Sequence, residues 1–254
     1  MTISSYLRRP LLRKVPEVTI YFWIVKLLTT ALGESTSDYL VQRLNPYVAV
    51  LVGLVCFAIA IAIQFRVRRY IAWVYWLAVS MVAVFGTMAA DVLHNALGVP
   101  YIASVLFFGT ALAVVFSVWY KTERTLSIHS INTPRRELFY WATVLTTFAL
   151  GTAAGDLAAY SAGLGFLSAG ILFAVIFAVP AVAWWRFRLH PIVAFWAAYI
   201  MTRPLGASFA DWTGKSLRSG GLGWGDLPVS IVLVILIASI VGYLSLSRAD
   251  AAKS

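Results

Sequence analysis

The chain has 254 residues, of which 61% are hydrophobic and only 12% are charged, against roughly a quarter in soluble domains. A soluble protein of this size cannot bury so much apolar surface, so the composition excludes a soluble globular enzyme, a disordered chain and a disulfide-stabilised secreted module. The net charge is +10, but its placement at the ends of apolar segments indicates a lipid bilayer as partner and no nucleic acid.

Apolar segments long enough to span a bilayer, which needs about 20 residues, recur along the whole chain. They lie at about 18–41, 47–65, 71–95, 101–120, 137–160, 165–185, 191–215 and 228–247. Turn-forming residues separate them, including a Gly-rich stretch at 219–226 that we expect to be a flexible loop. The single cysteine, Cys56, lies in an apolar run and is predicted to be a buried small hydrophobe. The sequence therefore predicts an all-α, polytopic membrane bundle of eight transmembrane helices, forming one integral membrane domain over residues 1–254.

The basic residues predict the orientation of this domain. Of the 20 Lys and Arg, 15 lie at the ends that share a side with the N-terminus and 3 lie in the opposite loops. Because Lys and Arg accumulate on the cytoplasmic side, both termini are expected in the cytoplasm of a bacterial inner (plasma) membrane, with residues 1–16 as a cytoplasmic arm.

One pattern occurs four times at equal spacing. An aromatic residue and a Trp are followed ten residues after the Trp by Gly, and five residues later by Asp. The four copies are Phe22-Trp23/Gly33/Asp38, Tyr75-Trp76/Gly86/Asp91, Tyr140-Trp141/Gly151/Asp156 and Phe195-Trp196/Gly206/Asp211. Repeat units of about 17–70, 71–125, 136–189 and 190–248 follow, each with two helices and therefore in parallel orientation.

The shared residues of the repeat suggest different roles. The aromatic pair is interpreted as an anchor in the aromatic belt at the membrane interface. The glycine is interpreted as a site of close helix packing, since small residues let helices approach. The aspartate is costly inside a membrane and is expected to face a cavity or a partner. We therefore expect the four aspartates to converge on a common axis, with helix pairing or an interface position as the alternative.

The copies differ most in the first half of the chain. Glu34 and Asp38 are four residues apart, and Asp91 and His94 are three apart, so each pair shares one helix face. Carboxylates with an imidazole suit a divalent ion of the Mn, Fe or Zn class. The predicted metal-binding or proton-binding residues are therefore Glu34, Asp38, Asp91, His94, Asp156 and Asp211, and the alternative for His94 is a packed core histidine.

Two basic residues also lie inside predicted spans. Lys26 precedes Glu34 by about two turns, and Arg203 is followed by Pro204. Either they pair structurally with the acids, or they act as exchangeable counter-ions or gating groups that occupy the site when substrate is absent.

The first unit resembles a known kind of protein. Its sequence Lys14-Val15-Pro16-Glu17-Val18-Thr19-Ile20, followed by Phe22-Trp23 and Gly33-Glu34, is similar to bacterial uncharacterised membrane-anchored proteins. These are built from a short membrane repeat of unknown function, usually in four copies. The resemblance implies eight spans in a bacterial inner membrane and implies no particular activity.

The leading functional hypothesis is a transporter of a small solute, namely a divalent metal cation. Transport of the cation is optionally coupled to protons. No cofactor is expected other than the cation bound as substrate. A passive ion channel and a scaffold or sensor that regulates a partner are the alternatives. An enzyme is not expected, because catalytic motifs are absent from the sequence. Self-association into a homo-oligomer is left open.

Overall fold

The computed structural model describes residues 13–251, apart from the side chains of residues 95 and 96. The described chain is all-helical and contains no strand. Its eight α-helices are α1 (Ile20–Arg43), α2 (Pro46–Arg66), α3 (Ala72–Asp91), α4 (Tyr101–Glu123), α5 (Pro134–Asp156), α6 (Gly165–Phe187), α7 (Pro191–Gly214) and α8 (Asp226–Ser247). Residues 1–12 of the predicted cytoplasmic arm lie outside the described residues.

The helices begin and end where the local chemistry requires it. Prolines occupy the first turn of α2, α5 and α7, where a missing backbone N–H costs nothing. At the N-terminus of α1 the Thr19 hydroxyl accepts a hydrogen bond from the amide of Phe22. The turns after α3 and α5 use Gly98 and Gly163, whose φ angles of 65° and 69° suit glycine.

Six of the eight helices are long and apolar enough to cross a membrane, namely α2, α3, α4, α5, α6 and α8. The protein is therefore a multi-pass membrane protein. α1 and α7 fall outside that set because each carries charged residues in its central turns, Lys26 and Glu34 in α1 and Arg203 in α7.

The odd-numbered helices form a closed inner ring. Gly33 of α1 lies against Ala83 of α3, and a Cβ built at Gly33 would be 2.7 Å from the carbonyl carbon of Ala83. The other three glycines repeat this contact around the ring, Gly86 with Phe148, Gly151 with Arg203, and Gly206 with Thr30. The residue contacted is each time the seventh after the repeat Trp. The repeat glycines thus lie at close contacts between inner helices, as predicted.

The aromatic pairs form a buried layer across one end of this ring, which we call the Trp end. The residue before each Trp packs against the Trp of the next inner helix, with ring centroids 5.7 to 6.2 Å apart. Tyr75 and Tyr140 also share a hydrogen bond between their hydroxyls. The predicted interfacial belt is wrong for these residues, because the ring turns them inward and most are less than 5% exposed.

The even-numbered helices surround the ring. Each packs mainly on the inner helix of the following repeat: α2 on α3, α4 on α5, α6 on α7, and α8 on α1. Their remaining faces expose apolar side chains, as expected of a surface that contacts lipid. Cys56 of α2 belongs to this exposed face. Its predicted burial is wrong, since an apolar run does not reveal which side faces the ring.

A segment at 13–19, which we call the N-terminal clasp, covers the Trp end. Backbone hydrogen bonds join it to three other parts of the chain: the Lys14 amide to Ile131, the Tyr70 amide to Arg13, and the Glu17 amide to Asp250. Residues 13–16 of the predicted arm are thus packed against the bundle.

A buried ion pair anchors the clasp. The Lys14 ammonium binds the Glu137 carboxylate, whose other oxygen accepts a hydrogen bond from Gln64 at 3.0 Å. All three side chains are buried. The clasp is therefore held by a satisfied charged pair as well as by its backbone.

Candidate functional site

Three carboxylates converge near the end of the ring opposite the aromatic layer, which we call the Asp end. Glu34 of α1, Asp156 of α5 and Asp211 of α7 each offer an oxygen, and these oxygens all lie within 4.8 Å of one another. Glu34 and Asp211 are buried and Asp156 is partly exposed. The distance matches a group that could hold one metal ion, and we call these three residues the carboxylate cluster.

Arg203 of α7 closes the inner side of the cluster. Its Nη2 donates to Glu34 Oε2 at 2.6 Å, to the Thr152 hydroxyl at 2.7 Å and to the Thr87 hydroxyl. The side chain is 1% exposed, and its Nε and Nη1 have no partner among residues 13–251. One nitrogen thus carries all the hydrogen bonds that the structure gives to this guanidinium.

Lys215 closes the outer side of the cluster. It follows α7 and its ammonium binds Asp38, with Asp211 Oδ1 3.7 Å away. Asp38 is thereby neutralised by Lys215 and is not one of the three converging carboxylates. The carboxylate cluster thus lies between two basic side chains.

The Gly-rich loop holds Lys215 in position. Its amides bond back to the end of α7, Leu222 to the carbonyl of Trp212 at 2.6 Å and Gly223 to that of Lys215 at 2.8 Å. Gly220 and Gly223 adopt φ angles of 86° and 75°, which glycine accepts without strain. These hydrogen bonds fold the loop compactly onto the end of α7, an arrangement that its Gly-rich sequence does not reveal.

Asp91 and His94 lie outside the carboxylate cluster. The His94 ring stacks on Tyr101 with centroids 3.6 Å apart, and its Nδ1 is 2.8 Å from the carbonyl oxygen of Val99. The helix after Asp91 changes to a π-helical turn, Val92–Ala96, and this change alters the register that an α-helix would give the pair. The structure thus packs the His94 ring against Tyr101, apart from the three converging carboxylates.

A second π-helical turn, Leu157–Ser161, follows Asp156. The first and fourth repeats have no such turn, since α1 and α7 remain α-helical beyond their aspartates. Such turns are frequent at functional sites. The carboxylate cluster itself draws on the first, third and fourth repeats.

Lys26 lies deeper in the ring and makes no ion pair with any described residue. Its ammonium lies 3.8 Å from the ring centroid of Phe148 and 4.3 Å from that of Tyr199. The side chain is 1% exposed. Of the two predicted intramembrane bases, Arg203 thus pairs with an acid and Lys26 is held by aromatic rings.

The sequence interpretation missed three side chains of this site. Thr87 and Thr152 directly follow the repeat glycines, at the position that Glu34 holds in the first repeat. Lys215 follows Asp211 by four residues, one helical turn, and was counted as a loop residue. Aligning the residue after each glycine would have identified the threonines, and the turn spacing would have identified Lys215.

Comparison with protein families gives one match that covers most of the chain. The family model described as Repeat of Unknown Function (DUF347) matches four times, at residues 21–70, 74–125, 139–189 and 194–250. The chain belongs to this repeat family. The four copies predicted from the Trp-Gly-Asp spacing are thereby confirmed as copies of the DUF347 repeat. Comparisons with curated proteins and with solved structures give no significant match.

Proposed function

We propose that this four-copy DUF347 protein transports a small divalent metal cation across a membrane. The observation that carries the proposal is the convergence of Glu34, Asp156 and Asp211 inside a ring of helices. Carboxylates inside a membrane protein are costly and typically belong to ion pathways. Because nearly all of the chain lies in apolar helices, binding of an ion within the membrane is the role that best explains such a cluster.

The proposal includes eight crossings in parallel repeats, with both termini in the cytoplasm of a plasma membrane. α1 and α7 each have 24 residues, about 36 Å at 1.5 Å per residue, which exceeds the hydrocarbon thickness of about 30 Å. The charged residues in their central turns, Lys26, Glu34 and Arg203, are buried inside the ring. The equivalent glycine contacts around the ring support parallel inner helices, and the excess of Lys and Arg at the Trp end supports its cytoplasmic position.

The donor set narrows the substrate class. The three converging ligands are all carboxylate oxygens, and His94 bonds elsewhere. Oxygen-only sites favour Mn²⁺, Mg²⁺ and Ca²⁺ over Zn²⁺, which prefers imidazole and thiolate. Within the class suggested by the sequence, Mn²⁺ is therefore the preferred substrate and Zn²⁺ the least favoured.

Arg203 and Lys215 act as the counter-ions of the empty site. A cation that enters from the Asp end competes with Arg203 for Glu34, and it competes for Asp211 with Lys215, which also binds Asp38. Two of the three clustered acids thus have a basic partner when no cation is bound, which limits the cost of burying them. Release of the cation restores both ion pairs.

The Trp end favours a carrier over a permanently open channel. The buried aromatic layer and the N-terminal clasp close the ring below the cluster. A cation at the carboxylates is therefore accessible from one side, and transport requires the aromatic layer to open as the other side closes.

Metal flux in liposomes tests the proposal. Purified protein is reconstituted and Mn²⁺ uptake is followed with an internal fluorescent chelator, with Zn²⁺ and Mg²⁺ measured in parallel. Asp156→Asn and Asp211→Asn each remove one charged ligand, so uptake is expected to fall at least about tenfold. Asp226→Asn is the matched control, because Asp226 lies at the same end and binds Gln42 instead of the cluster.

The concentration dependence of Mn²⁺ uptake and its loss in the variants distinguish a carrier, a channel and a cluster without a role in transport. Saturable Mn²⁺ uptake that the two cluster variants lose and Asp226→Asn keeps supports the assignment. Equal uptake by all four proteins contradicts the role of the cluster. Uptake that rises linearly with concentration, without saturation, contradicts the carrier and supports a channel.

A further inference from the structure

A groove opens on the outer surface of the bundle at the Trp end, where α1, α6 and α7 meet. Its volume is about 560 Å³, which is within the range of small-molecule sites. Its walls are mainly apolar, with Ile20 and Trp23 from α1, Phe177 and Trp184 from α6, and Phe195 from α7. The carboxylate cluster lies at the opposite end of the ring, so the proposed cation site does not use this groove.

The equivalent place between α5 and α7 is filled by protein. Trp196, the repeat Trp of α7, is buried there. The outer helix α4 covers it with Phe116 and Trp119, whose ring centroids lie 5.1 and 5.8 Å from that of Trp196. The indole nitrogen of Trp196 donates to the Leu126 carbonyl at 2.9 Å. A repeat Trp at this end is thus covered by the outer helix and the segment after it.

Two differences between α6 and α4 leave the groove open. Counted from the Trp of its own repeat, Ala181 of α6 holds the position of Phe116, and Trp184 holds the position of Trp119. Alanine supplies no ring, and Trp184 is 56% exposed whereas Trp119 is completely buried. Trp23 is therefore only partly buried, unlike the other three repeat Trp residues. The fourth-to-first junction of the ring has space that the second outer helix fills at the third-to-fourth junction.

The mouth of this groove is basic. His129 lines the groove, and its Nδ1 lies 3.4 Å from the Arg13 guanidinium. Arg186 and Arg188 are exposed at the end of α6 and just after it, between groove-lining residues of α6 and α7. The acid Glu17 is neutralised by Arg13. The charge around the mouth is therefore positive, next to apolar walls.

We infer that the groove binds an anionic phospholipid, with its phosphate at Arg186 and Arg188 and an acyl chain against Trp23. The apolar walls suit the chain, and basic pockets between membrane helices bind anionic headgroups. The groove opens on the lipid-facing surface of the bundle, where phospholipid is the surrounding solvent. The inference goes beyond the proposed cation transport and does not depend on it.

Native mass spectrometry of the full chain in detergent tests the headgroup contact. Phosphatidylglycerol and phosphatidylcholine with identical acyl chains are added in equal amounts, and the wild type is expected to retain one phosphatidylglycerol in preference. Arg186→Gln combined with Arg188→Gln is expected to lower the phosphatidylglycerol affinity about 30-fold, roughly a factor of five for each charge removed. Arg68→Gln combined with Arg69→Gln is the matched control, because these exposed arginines lie at the same end and outside the groove lining.

Ala181→Phe tests the apolar part of the groove. It places a ring where α4 has Phe116, so the variant is expected to lose most of the bound phosphatidylglycerol. Its melting temperature in lipid-free detergent should equal or exceed that of the wild type, because the ring fills a space that is open in the groove. Ala178→Phe is the matched control and should keep the lipid, since Ala178 is exposed on the same helix and does not line the groove.

Equal retention of the two lipids by the wild type overturns the inference. Unchanged phosphatidylglycerol binding in either the α6 double-arginine variant or Ala181→Phe also overturns it. A dimer in lipid-free detergent that Ala181→Phe dissociates overturns it in favour of a second copy of the chain as occupant. Mn²⁺ flux is measured separately, so the failure of this inference leaves the proposed function standing.

Discussion

The repeat glycines leave no room for a side chain where two inner helices meet. At Gly33 the obstacle is backbone, since a Cβ would lie 2.6 Å from the Ala83 Cβ and 2.7 Å from its carbonyl carbon. Backbone cannot move aside as a long side chain can. Alanine at this position must push α1 away from α3, which separates the residues that line the ring.

Gly33→Ala is therefore expected to lower the free energy of unfolding by about 1–3 kcal/mol, the usual cost of overpacking. The measurement is thermal or denaturant unfolding in detergent. Gly242→Ala serves as control, because a Cβ at Gly242 meets nothing within 4 Å. The control should be neutral or gain up to about 1 kcal/mol from the higher helix propensity of alanine. Equal stability of Gly33→Ala and wild type would contradict the close contact.

For single residues, the sequence predicts which side chains line the ring better than it predicts which residues they contact. The equal spacing of Trp, Gly and Asp identifies the side chains that line the ring. It does not reveal that the Trp residues face inward, since an aromatic residue near a span end suits both a lipid interface and a core. It also does not reveal that Asp38 pairs with Lys215, because that contact joins residues 177 positions apart.

Among the helices, α1 and α7 depend on each other most directly. Glu34 and Arg203 neutralise one another inside the ring, and Thr87 and Thr152 add hydrogen bonds from α3 and α5. The Glu34 carboxylate of α1 and the Arg203 guanidinium of α7 would each be costly to expose to lipid. Removal of one partner leaves the other charge buried and unpaired, a more costly state than either the intact pair or no pair.

Arg203→Met is expected to lower the free energy of unfolding by about 3–5 kcal/mol. The double variant Arg203→Met with Glu34→Gln should recover most of that loss, because no charge remains unpaired. A double-mutant cycle from unfolding in mixed detergent micelles measures the coupling. If the two single effects simply add in the double variant, the ion pair does not link α1 to α7.

The two π-helical turns are the secondary structure that the sequence does not predict. The eight helices were predicted within a few residues, but no sequence pattern predicted the turns after Asp91 and Asp156. In the second and third repeats these turns lead into Gly-containing connections, whereas α1 continues as an α-helix beyond its aspartate. The metal role predicted for His94 assumed a regular helix, and the register after Asp91 is not regular.

For the whole molecule, the proposed topology predicts which residues each side of the membrane reaches. Substitution of Cys56 by Ser removes the single cysteine, so single cysteines can then be introduced. Leu44→Cys and Ser219→Cys lie at the Asp end, and Ser247→Cys lies at the Trp end; all three positions are exposed. In intact cells, a membrane-impermeant maleimide is expected to label the first two and not the third.

Labelling of Leu44→Cys is the informative case for α1. If α1 does not cross the membrane, Leu44→Cys is protected together with Ser247→Cys. If the reagent reaches Ser247→Cys and neither of the others, the orientation is reversed. Permeabilised cells supply the positive control, since all three cysteines should then react.

The packing of the outer helices bears on where new termini could be placed in the chain. Each outer helix lies on the inner helix of the following repeat, and α8 completes the circle by lying on α1. The backbone hydrogen bond from Glu17 to Asp250 also brings together the segments that precede α1 and follow α8. No repeat is therefore first or last in space, and a circularly permuted chain opened between the second and third repeats would retain every helix contact of the ring.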